Sequence, residues 1–583
     1  MILQALKDYY DRKAADPESG IAPLGWEWKE IPFVIVLAAD GTLINVENTC
    51  SEDGKSAKKY LVPRSVSRTG PKSYKRVNFL WDHRGYVLGE PLSDTKSAKQ
   101  YRTWCDFIRE ICNKLHECNE LNAIRLFYEK IDKMEISIHE NSIFTECLRY
   151  KTNPNIIFKV NGKSLFDIQI ICDYINNNIR LQIQNNTYKI KSNNNDVILR
   201  CLVSGENSFI ARTHHDTPIS KDSKKLVGFQ RNSGYDSYGH EQGYNAPVSI
   251  ESEFAYTTAL NVLLAKDSRQ KLQIGDASTV FWADRKCTFE TDLTGWFAEP
   301  DKDNPDRLTE SVAALLQSVD SGAFAHDDEA TRFFVLGLSP SAARISVRFW
   351  HAGTVAELAG RFAGYFRDLE LTHGSRDKDH LSLWRLLVAT AVQGKTENIT
   401  PNLAGNFMRA ILEGLPFPET LLAAAVLRCK AEQEIGYPRA KLIKGCLNRK
   451  LRLNNPNQER SLTVSLDKDN PNIGYRLGRL FATLEKIQRE ANPGINATIR
   501  DRFYSAASCT PLSVFGNLMR LKNHHLAKLE NAGRRVTFER LIGEIVSGFQ
   551  AFPAHLSLDD QGRFAIGYYH QQQDFFSKKV ESN

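Results

Sequence analysis

Residues 333–350 read FFVLGLSPSAARISVRFW, and residues 355–369 read VAELAGRFAGYFRDL. The first stretch has two apolar runs of strand length on either side of Pro340, which predicts a pair of neighbouring strands. In the second stretch apolar residues recur every three or four positions, which predicts a helix. Strand signals are common before this point and almost disappear after it. The sequence therefore predicts an α+β fold, in which a mixed α/β N-terminal domain with antiparallel strand pairs precedes an all-α C-terminal helical bundle.

The length and the change of character divide the chain into four predicted parts. At 583 residues it is too long for one ordinary core. We assign residues 1–355 to a mixed α+β region, 356–453 to a helical region, 454–473 to a polar linker and 474–583 to a helical bundle. The apolar stripe of the first bundle helix consists of Leu477, Leu480, Phe481, Leu484 and Ile487.

Three further segments carry weaker signals. Residues 77–81 and 86–88 are apolar runs separated by a polar turn, which predicts a β-hairpin. The Asn- and Ile-rich stretch 153–195 predicts short strands with polar turns. The tail after Pro553 is weakly patterned, and no element is assigned to it.

A basic segment lies between Gly54 and Leu80. It carries eight Lys/Arg and no Asp or Glu, with aromatic residues interleaved. Cations of this kind neutralise phosphates, and aromatic rings stack on bases or wedge between them. A solvated charged loop has the same composition. The residues that we predict to bind DNA are Lys55, Lys58, Lys59, Arg64, Arg68, Lys72, Lys75, Arg76 and Asn78.

Within this segment the residue types suggest two roles. Lys72, Lys75 and Arg76 are expected to contact phosphates, which positions a protein on DNA without reading its sequence. The side-chain amide of Asn78 suits base edges, so we expect it to help to read a sequence motif.

A second set of cations lies on the C-terminal helices. The spacing of the first four places most of them along one side of a helix, opposite its apolar stripe. A solvated helix face accounts for them as well as nucleic acid does. The residues that we predict to contact the displaced strand or the DNA backbone are Arg476, Arg479, Lys486, Arg489, Arg500, Arg502, Arg520 and Lys522.

The overall composition excludes several classes of protein. An excess of 76 Lys+Arg over 69 Asp+Glu gives a net charge of only +7, so local basic patches matter more than the total. The eleven cysteines include no Cys-x-x-Cys pair, which indicates reduced thiols in a cytoplasm. No apolar run is long enough to span a membrane. We expect no cofactor, no metal and no membrane partner.

One weak catalytic candidate is present. His214-His215-Asp216 resembles a fragment of a metal-dependent nuclease site, but such sites need further carboxylates or histidines. The motifs Gly-x-Ser-x-Gly and His-Glu-x-x-His are absent. We therefore expect that the chain is not an enzyme, and a metal-dependent nuclease remains an alternative.

Five strings along the chain carry a resemblance to a known family. They are RVNFLWDHRGYVLG at 76–89, CLVSGE at 201–206, SYGHEQGYNAPV at 237–248, GDASTVFWA at 275–283 and GYRLGRLFATLEKIQREA at 474–491. In these strings and in their order the chain resembles the large subunit of the type I-C CRISPR surveillance complex, Cascade, and the last string resembles the start of that family's small-subunit-like helical region. The chain departs from the family pattern at residues 216–226, and the match is loose at 153–195.

The resemblance implies a function in antiviral defence. Such a subunit belongs to a cytoplasmic ribonucleoprotein that contains guide RNA, a small subunit, and backbone and RNA-end-binding subunits. It recognises a protospacer-adjacent motif (PAM) in duplex DNA, assists unwinding into an R-loop, holds the displaced strand and recruits a helicase-nuclease. Guide pairing then supplies the sequence specificity. The family also implies that the C-terminal region is made separately by internal translation, for which Val464 is the candidate start. A structural scaffold of an RNA complex that reads no motif is the second alternative.

Overall fold

The computed structural model describes residues 2–576 apart from 53, 55, 69–71, 92–93, 140, 186–197, 220–223, 231–232, 235–238, 275–276, 301–303, 305, 323–330, 343 and 455–460. The chain forms two compact units. Unit 1 comprises Met1–Thr217 and Lys225–Val262, and unit 2 comprises Pro218–Lys224 and Leu263–Asn583. The domain boundary that we predicted at residue 355 therefore lies within unit 2.

Unit 1 contains short strands and helices in mixed order. Its strands are β1 (Trp26–Glu30), β2 (Phe33–Leu37), β3 (Leu43–Asn48), β4 (Lys59–Pro63), β5 (Asp82–His83), β6 (Asn155–Val160), β7 (Lys163–Ser164), β8 (Ile198–Arg200) and β9 (Asn207–Phe209). Its helices are α1 (Ile2–Ala14), α2 (Arg84–Val87), α3 (Thr95–Lys114), α4 (Asn119–Asp132), α5 (Thr145–Arg149) and α6 (Gln169–Asn185). Helix α7 (Ile250–Leu264) contains the boundary between the units.

The main sheet of unit 1 has the strand order β3-β2-β6-β5, with β7 paired to β6. Strands β2 and β6 are parallel, and the other pairs are antiparallel. Every residue of β2 is buried, because Phe33 and Ile35 join the core with α3 and α4 while Val34 and Val36 join a second cluster with Trp81. Burial on both faces explains why β2 is a continuous apolar run rather than an alternating one.

Unit 2 begins with an antiparallel meander and continues in helices. The strands β10 (Lys271–Ile274), β11 (Ala277–Ala283), β12 (Arg332–Pro340) and β13 (Ile345–Thr354) pair in chain order. Its helices are α8 (Phe289–Phe297), α9 (Arg307–Asp320), α10 (Val355–Asp368), α11 (Leu383–Val388), α12 (Leu403–Glu413), α13 (Glu419–Glu432), α14 (Tyr437–Asn454), α15 (Ile473–Ala491), α16 (Ile499–Cys509), α17 (Pro511–Lys528), α18 (Ala532–Val546) and α19 (Leu558–Phe576). These elements confirm the α+β fold class and the predicted change from strands to helices.

One hydrophobic core runs through unit 2. It includes Phe281 and Phe333 of the meander, Phe362 of α10, Phe481 of α15 and Tyr569 of α19. Helix α19 packs on α13 and α14, which precede the predicted linker, as well as on α15, which follows it. Within the described part of residues 454–473 no helix or strand lies between α14 and α15, but the helices on either side share this core.

The close contact of α15 with α19 depends on two glycines. A Cβ at Gly478 would lie 2.0 Å from the Phe564 carbonyl oxygen, and one at Gly567 would lie 2.0 Å from the Tyr475 carbonyl oxygen. Real Cβ atoms do not approach this closely, so only glycine permits the two helix backbones to pack as they do. The contact fixes α19 in the centre of the bundle.

Three predicted segments differ from the structure. Residues 77–81 form no strand, and Arg84–Val87 is the helical turn α2, so the predicted hairpin is wrong. Within 153–195 the strands β6 and β7 are present, but Gln169–Asn185 is helix α6, and residues 186–195 lie outside the described residues. The tail contains α19, in which residues 564–571 are all buried, so this part of the helix shows no amphipathic stripe.

The β8–β9 hairpin is fixed to the start of α7 through one buried sulfur atom. Cys201 Sγ accepts hydrogen bonds from the backbone N–H groups of Val203 at 3.3 Å, Ser204 at 3.4 Å and Ser249 at 3.2 Å. It lies 3.6 Å from Ser252 Oγ, which is 2.9 Å from Ser249 Oγ. Burial raises the pKa of the Cys201 thiol, but the hydrogen bonds from Ser204, Ser249 and Val203 outweigh burial and lower it to about 6. All eleven cysteines are free thiols.

Candidate nucleic-acid interface

Arg64 connects the basic segment to helix α7. Its Nη1 donates to Glu253 Oε2 at 2.9 Å, and its Nη2 donates to Thr257 Oγ1 at 2.7 Å. The Glu253 side chain is only 3% exposed. Burial raises the pKa of Glu253, but Arg64 and His215 lower it by more, so that it falls well below its usual range. Since a buried carboxylate needs a counter-ion, the structure gives Arg64 an internal role.

Arg68 has a similar internal role at the other end of the loop. Its guanidinium makes a bidentate contact with Asp82, with Nη1 2.9 Å from Oδ1, and its Nε donates to the Arg76 carbonyl oxygen at 2.8 Å. The Asp82 side chain is fully buried, and this burial raises its pKa against the opposing effect of Arg68. The Arg68 guanidinium also lies 4.3 Å from the centroid of the Tyr86 ring.

Asn78 and Arg76 complete this network. Asn78 is 4% exposed, its Oδ1 accepts from Val66 N at 2.9 Å, and its backbone N donates to Asp82 Oδ2 at 3.0 Å. Arg76 Nη1 donates to the Ser67 carbonyl oxygen. The proposed base contact by Asn78 stays a prediction, and it requires this loop to open because the amide oxygen already has a buried partner.

The lysines of the basic segment have the opposite environment. Lys58, Lys59, Lys72 and Lys75 are exposed, and Lys55 lies outside the described residues. Lys72 precedes the short turn Ser73–Lys75, Lys75 is its last residue, and the turn packs against α3. The long stems of Lys72 and Lys75 leave their ammonium groups in water, where phosphates can reach them.

Helix α3 contributes two lysines that sequence reasoning missed. Lys99 Nζ lies 5.8 Å from the centroid of the Tyr74 ring, which places it beside the turn at 73–75. Lys96, three residues earlier, is exposed, as is Lys99. Their i, i+3 spacing in the sequence indicates that they share one helix face. Only the fold shows that this face lies beside Lys72 and Lys75. We call these four residues the lysine surface, and in the described part of the chain none of them forms an ion pair.

A half-buried histidine lies behind this surface. Burial, together with the charges of Arg68 and Lys96, lowers the pKa of His83 to about 4. The ring is held by Asn153, whose Nδ2 lies 2.8 Å from Nδ1. His83 is therefore neutral at physiological pH and adds no charge to the surface.

Most of the predicted cations of the C-terminal helices have internal partners. Arg479 was expected on an outer face, but its side chain is fully buried, where Nη2 donates to Glu544 Oε1 at 2.8 Å and Nε to Gln571 Oε1 at 3.2 Å. Arg476 Nε donates to the Asn470 carbonyl oxygen at 2.7 Å. Expectation and structure differ because α18 and α19 pack around α15 and enclose the side of the helix that carries these arginines.

The remaining C-terminal cations fall into two groups. Lys486, Arg489, Arg500 and Lys522 lie within 4.0 Å of Glu490, Glu485, Glu485 and Glu539 respectively. Arg502 and Arg520 are exposed, and no ion pair to them occurs among the described residues. Of the eight predicted cations, these two are the ones best placed to meet phosphates.

Unit 2 also contains a groove lined by arginines that the sequence did not indicate. Its volume is about 440 Å³, and its lining residues are Glu357, Gly360, Arg361, Gly364, Arg367, Gly414, Arg449 and Arg452. Five of them recur along α10 at a spacing of one helix face, and two lie on α14. We call it the arginine groove.

The nuclease candidate does not form one cluster. His214 Nδ1 lies 2.5 Å from Tyr256 Oη, while His215 Nδ1 lies 3.1 Å from Glu253 Oε1. Asp216 Oδ1 lies 3.9 Å from Lys225 Nζ. Burial lowers the pKa of His214 to about 4. Over the described residues no group of three or more His, Cys, Asp or Glu side chains is arranged to hold a metal ion.

The comparison with family models identifies the family to which the chain belongs. The model of the CRISPR-associated protein Cas_Csd1 matches residues 6–576, which is nearly the whole chain. The chain belongs to the Cas_Csd1 family. No curated protein sequence matches it. Membership places this Cas_Csd1 protein among CRISPR-associated components of Cascade type, and none of its described helices is long and apolar enough to cross a membrane.

Proposed function

We propose that this Cas_Csd1 protein is the large subunit of a type I-C RNA-guided surveillance complex that recognises a protospacer-adjacent motif in duplex DNA. The observation that supports this most is the family match over residues 6–576, to which the lysine surface adds a place for DNA phosphates. In this function the subunit also assists unwinding, holds the displaced strand and recruits a helicase-nuclease. Guide RNA pairing supplies the rest of the specificity.

The lysine surface performs the positioning step of this function. Lys72, Lys75, Lys96 and Lys99 approach from two elements, a turn and a helix, so the fold sets their spacing. Arg64 and Arg68 hold the loop from within through Glu253 and Asp82. A loop fixed in this way presents its lysines without having to order them when DNA binds.

Binding measurements on the assembled complex test the proposal. In this assay the wild-type complex and the Lys72→Ala/Lys75→Ala complex are each titrated with duplexes that share one target sequence but carry randomised flanking motifs. Loss of two phosphate contacts weakens binding across all motifs and lowers the log–log salt slope by about 1.8. Lys163→Ala, which removes an exposed lysine in the short strand β7, is the matched control and leaves the slope unchanged.

Two results would contradict the proposal. If wild type binds all flanking motifs equally, the subunit is a scaffold rather than a motif reader. If the double variant keeps the affinity and the salt slope of wild type, the lysine surface does not contact DNA.

The proposal also includes the absence of hydrolysis by this chain. His214, His215 and Asp216 have separate partners, so joint replacement by Ala, Ala and Asn should leave DNA degradation intact when the helicase-nuclease is supplied. Complete loss of cutting, with DNA binding and nuclease recruitment unchanged, would favour the metal-dependent nuclease.

A further inference from the structure

Two glycines of helix α10 form the floor of the arginine groove. Gly360 and Gly364 lie one turn apart in the interior of α10, and a Cβ at either position would meet no atom within 4 Å. Glycine inside a helix destabilises it by about 1 kcal/mol relative to alanine. Packing does not require glycine at these two positions, and the missing side chains leave open space above this face of the helix.

The walls of the groove carry more positive than negative charge. Arg449 and Arg452 share a single carboxylate, that of Asp368, which is 2% exposed. Arg449 is fully enclosed, with Nη2 donating to the Ala410 carbonyl oxygen at 3.1 Å and Nε to the Leu415 carbonyl oxygen at 2.6 Å. One carboxylate neutralises only one of these two guanidinium groups. The remaining positive charge therefore lies at Arg452, whose side chain is 50% exposed.

Arg367 and Arg361 occupy the α10 side of the groove. Arg367 pairs with Asp320, but both side chains are exposed, at 44% and 67%. An exposed pair of this kind contributes about 0–1 kcal/mol, so Arg367 can exchange its carboxylate for a phosphate at little cost. Arg361 is held more firmly by Glu357 and by the Leu412 carbonyl oxygen, which orients it along the groove.

We propose that the arginine groove binds the phosphodiester backbone of a nucleic-acid strand, with Arg367 and Arg452 as the phosphate contacts and Gly360 and Gly364 as the floor over which the strand passes. Guanidinium groups match phosphate oxygens in pairs, and a bare helix surface admits the bulky backbone. A volume of about 440 Å³ falls in the range of ligand sites. This inference rests on the proposed function, because that function brings guide RNA and DNA to the chain.

The glycines allow a test in which stability and binding change in opposite directions. Gly360→Ala/Gly364→Ala fills the floor and relieves two helical glycines, so it raises the thermal stability of the full chain. It weakens binding of labelled single-stranded RNA or DNA about tenfold if one phosphate contact is lost. Gly543→Ala is the matched control, since it also has open space around its Cβ in a helix outside the groove. It stabilises without changing binding.

A second variant removes the cations themselves. Arg367→Gln/Arg452→Gln lowers the log–log salt slope for single strands by about 1.4, since each lost contact accounts for about 0.7. Titration with RNA and DNA of one sequence tells which strand occupies the groove: a loss confined to RNA assigns guide RNA, and a loss confined to DNA assigns target or displaced strand. A loss of both assigns a contact that does not distinguish them.

The outcomes separate this inference from the proposed function. If wild type binds nucleic acid and both groove variants bind it equally well with the same salt slope, the groove inference is overturned while the proposed function stands. If wild type and its complex bind neither RNA nor DNA, both are overturned. Weaker binding by the glycine variant together with a gain in melting temperature supports the groove, because misfolding would lower both.

Discussion

Cys201, Ser204, Ser249 and Ser252, which we call the Cys201 cluster, lie close together, and we predict that three substitutions would turn the cluster into a zinc site. Cys201 and Ser204 have the Cys-x-x-Cys spacing of a zinc knuckle, and Ser249 and Ser252 repeat that spacing at the start of α7. The sulfur of Cys201 already accepts backbone N–H groups two and three residues further on. Such hydrogen bonds orient and stabilise metal-bound thiolates. We therefore expect Ser204→Cys/Ser249→Cys/Ser252→Cys to bind Zn²⁺ with four thiolates.

One distance in the cluster is close to that of a zinc site, and another must lengthen when sulfur replaces oxygen. Tetrahedral zinc with bonds of about 2.3 Å places its sulfur ligands about 3.8 Å apart. Cys201 Sγ lies 3.6 Å from Ser252 Oγ, and Ser249 Oγ lies 2.9 Å from Ser252 Oγ. Ser249 caps α7, since its Oγ accepts from Ser252 N at 3.1 Å, and loss of this cap costs about 1 kcal/mol. At 1,000 times the dissociation constant, zinc adds about 4.1 kcal/mol, which raises the melting temperature of a unit of this size by about 8–16 °C.

Cobalt substitution provides the assay. Titration of the reduced full chain with Co²⁺ should give one equivalent of tetrahedral thiolate absorption in the triple variant beyond that of wild type, and Zn²⁺ should displace it. Adding Cys201→Ser to the triple variant removes the best-prepared ligand and should weaken binding strongly. A folded triple variant that takes up no more metal than wild type would refute the reasoning.

The remaining predictions concern Glu253 and the C-terminal region. Arg64→Met leaves Glu253 buried without its guanidinium partner and should lower the free energy of unfolding in urea by about 3–5 kcal/mol. The added substitution Glu253→Leu should recover most of this loss, and no recovery would mean that Arg64 acts elsewhere. Because folding lowers the pKa of Glu253, the ionised carboxylate stabilises the folded protein above the usual pKa of 4.5, and this stabilisation is lost as the pH falls through the lower folded value. Acid should therefore lower the free energy of unfolding of wild type more than that of the Arg64→Met/Glu253→Leu variant. Mass spectrometry of the complex from the native gene should show a product that starts near Val464, and a fully assembled complex without it would contradict separate translation.

Sequence patterns predicted those elements in which the apolar residues form a simple local pattern. Strands β12 and β13 and helix α10 appeared as expected: the seven central residues of β12 form one continuous buried run, and α10 buries residues at the helical repeat. Helix α19 was missed because its central part is enclosed by neighbours and includes His570 and Gln571 among its buried residues. Which helices surround it depends on long-range packing, which a local pattern does not contain.

The basic segment was predicted as a surface, but the sequence did not separate its arginines from its lysines. Arg64 and Arg68 turn inward, because a guanidinium can satisfy a buried carboxylate with two parallel hydrogen bonds while its remaining N–H groups reach other acceptors. Their partners Glu253 and Asp82 lie outside the acid-free stretch of sequence, so counting charges within it overstates the free charge.

Lysine lacks this planar fork and is costlier to bury, so Lys72 and Lys75 remain in water. In unit 2 the division is incomplete: Arg449 and Arg479 are buried and pair with Asp368 and Glu544, but Lys441 and Lys444 are buried as well. The basic segment therefore combines two functions: Arg64 and Arg68 fix the shape of its surface, and its exposed lysines supply the charge that a phosphate meets. It follows that charge-removing variants of this segment should be made at the lysines, since substitution of Arg64 or Arg68 would change the fold and the binding surface together.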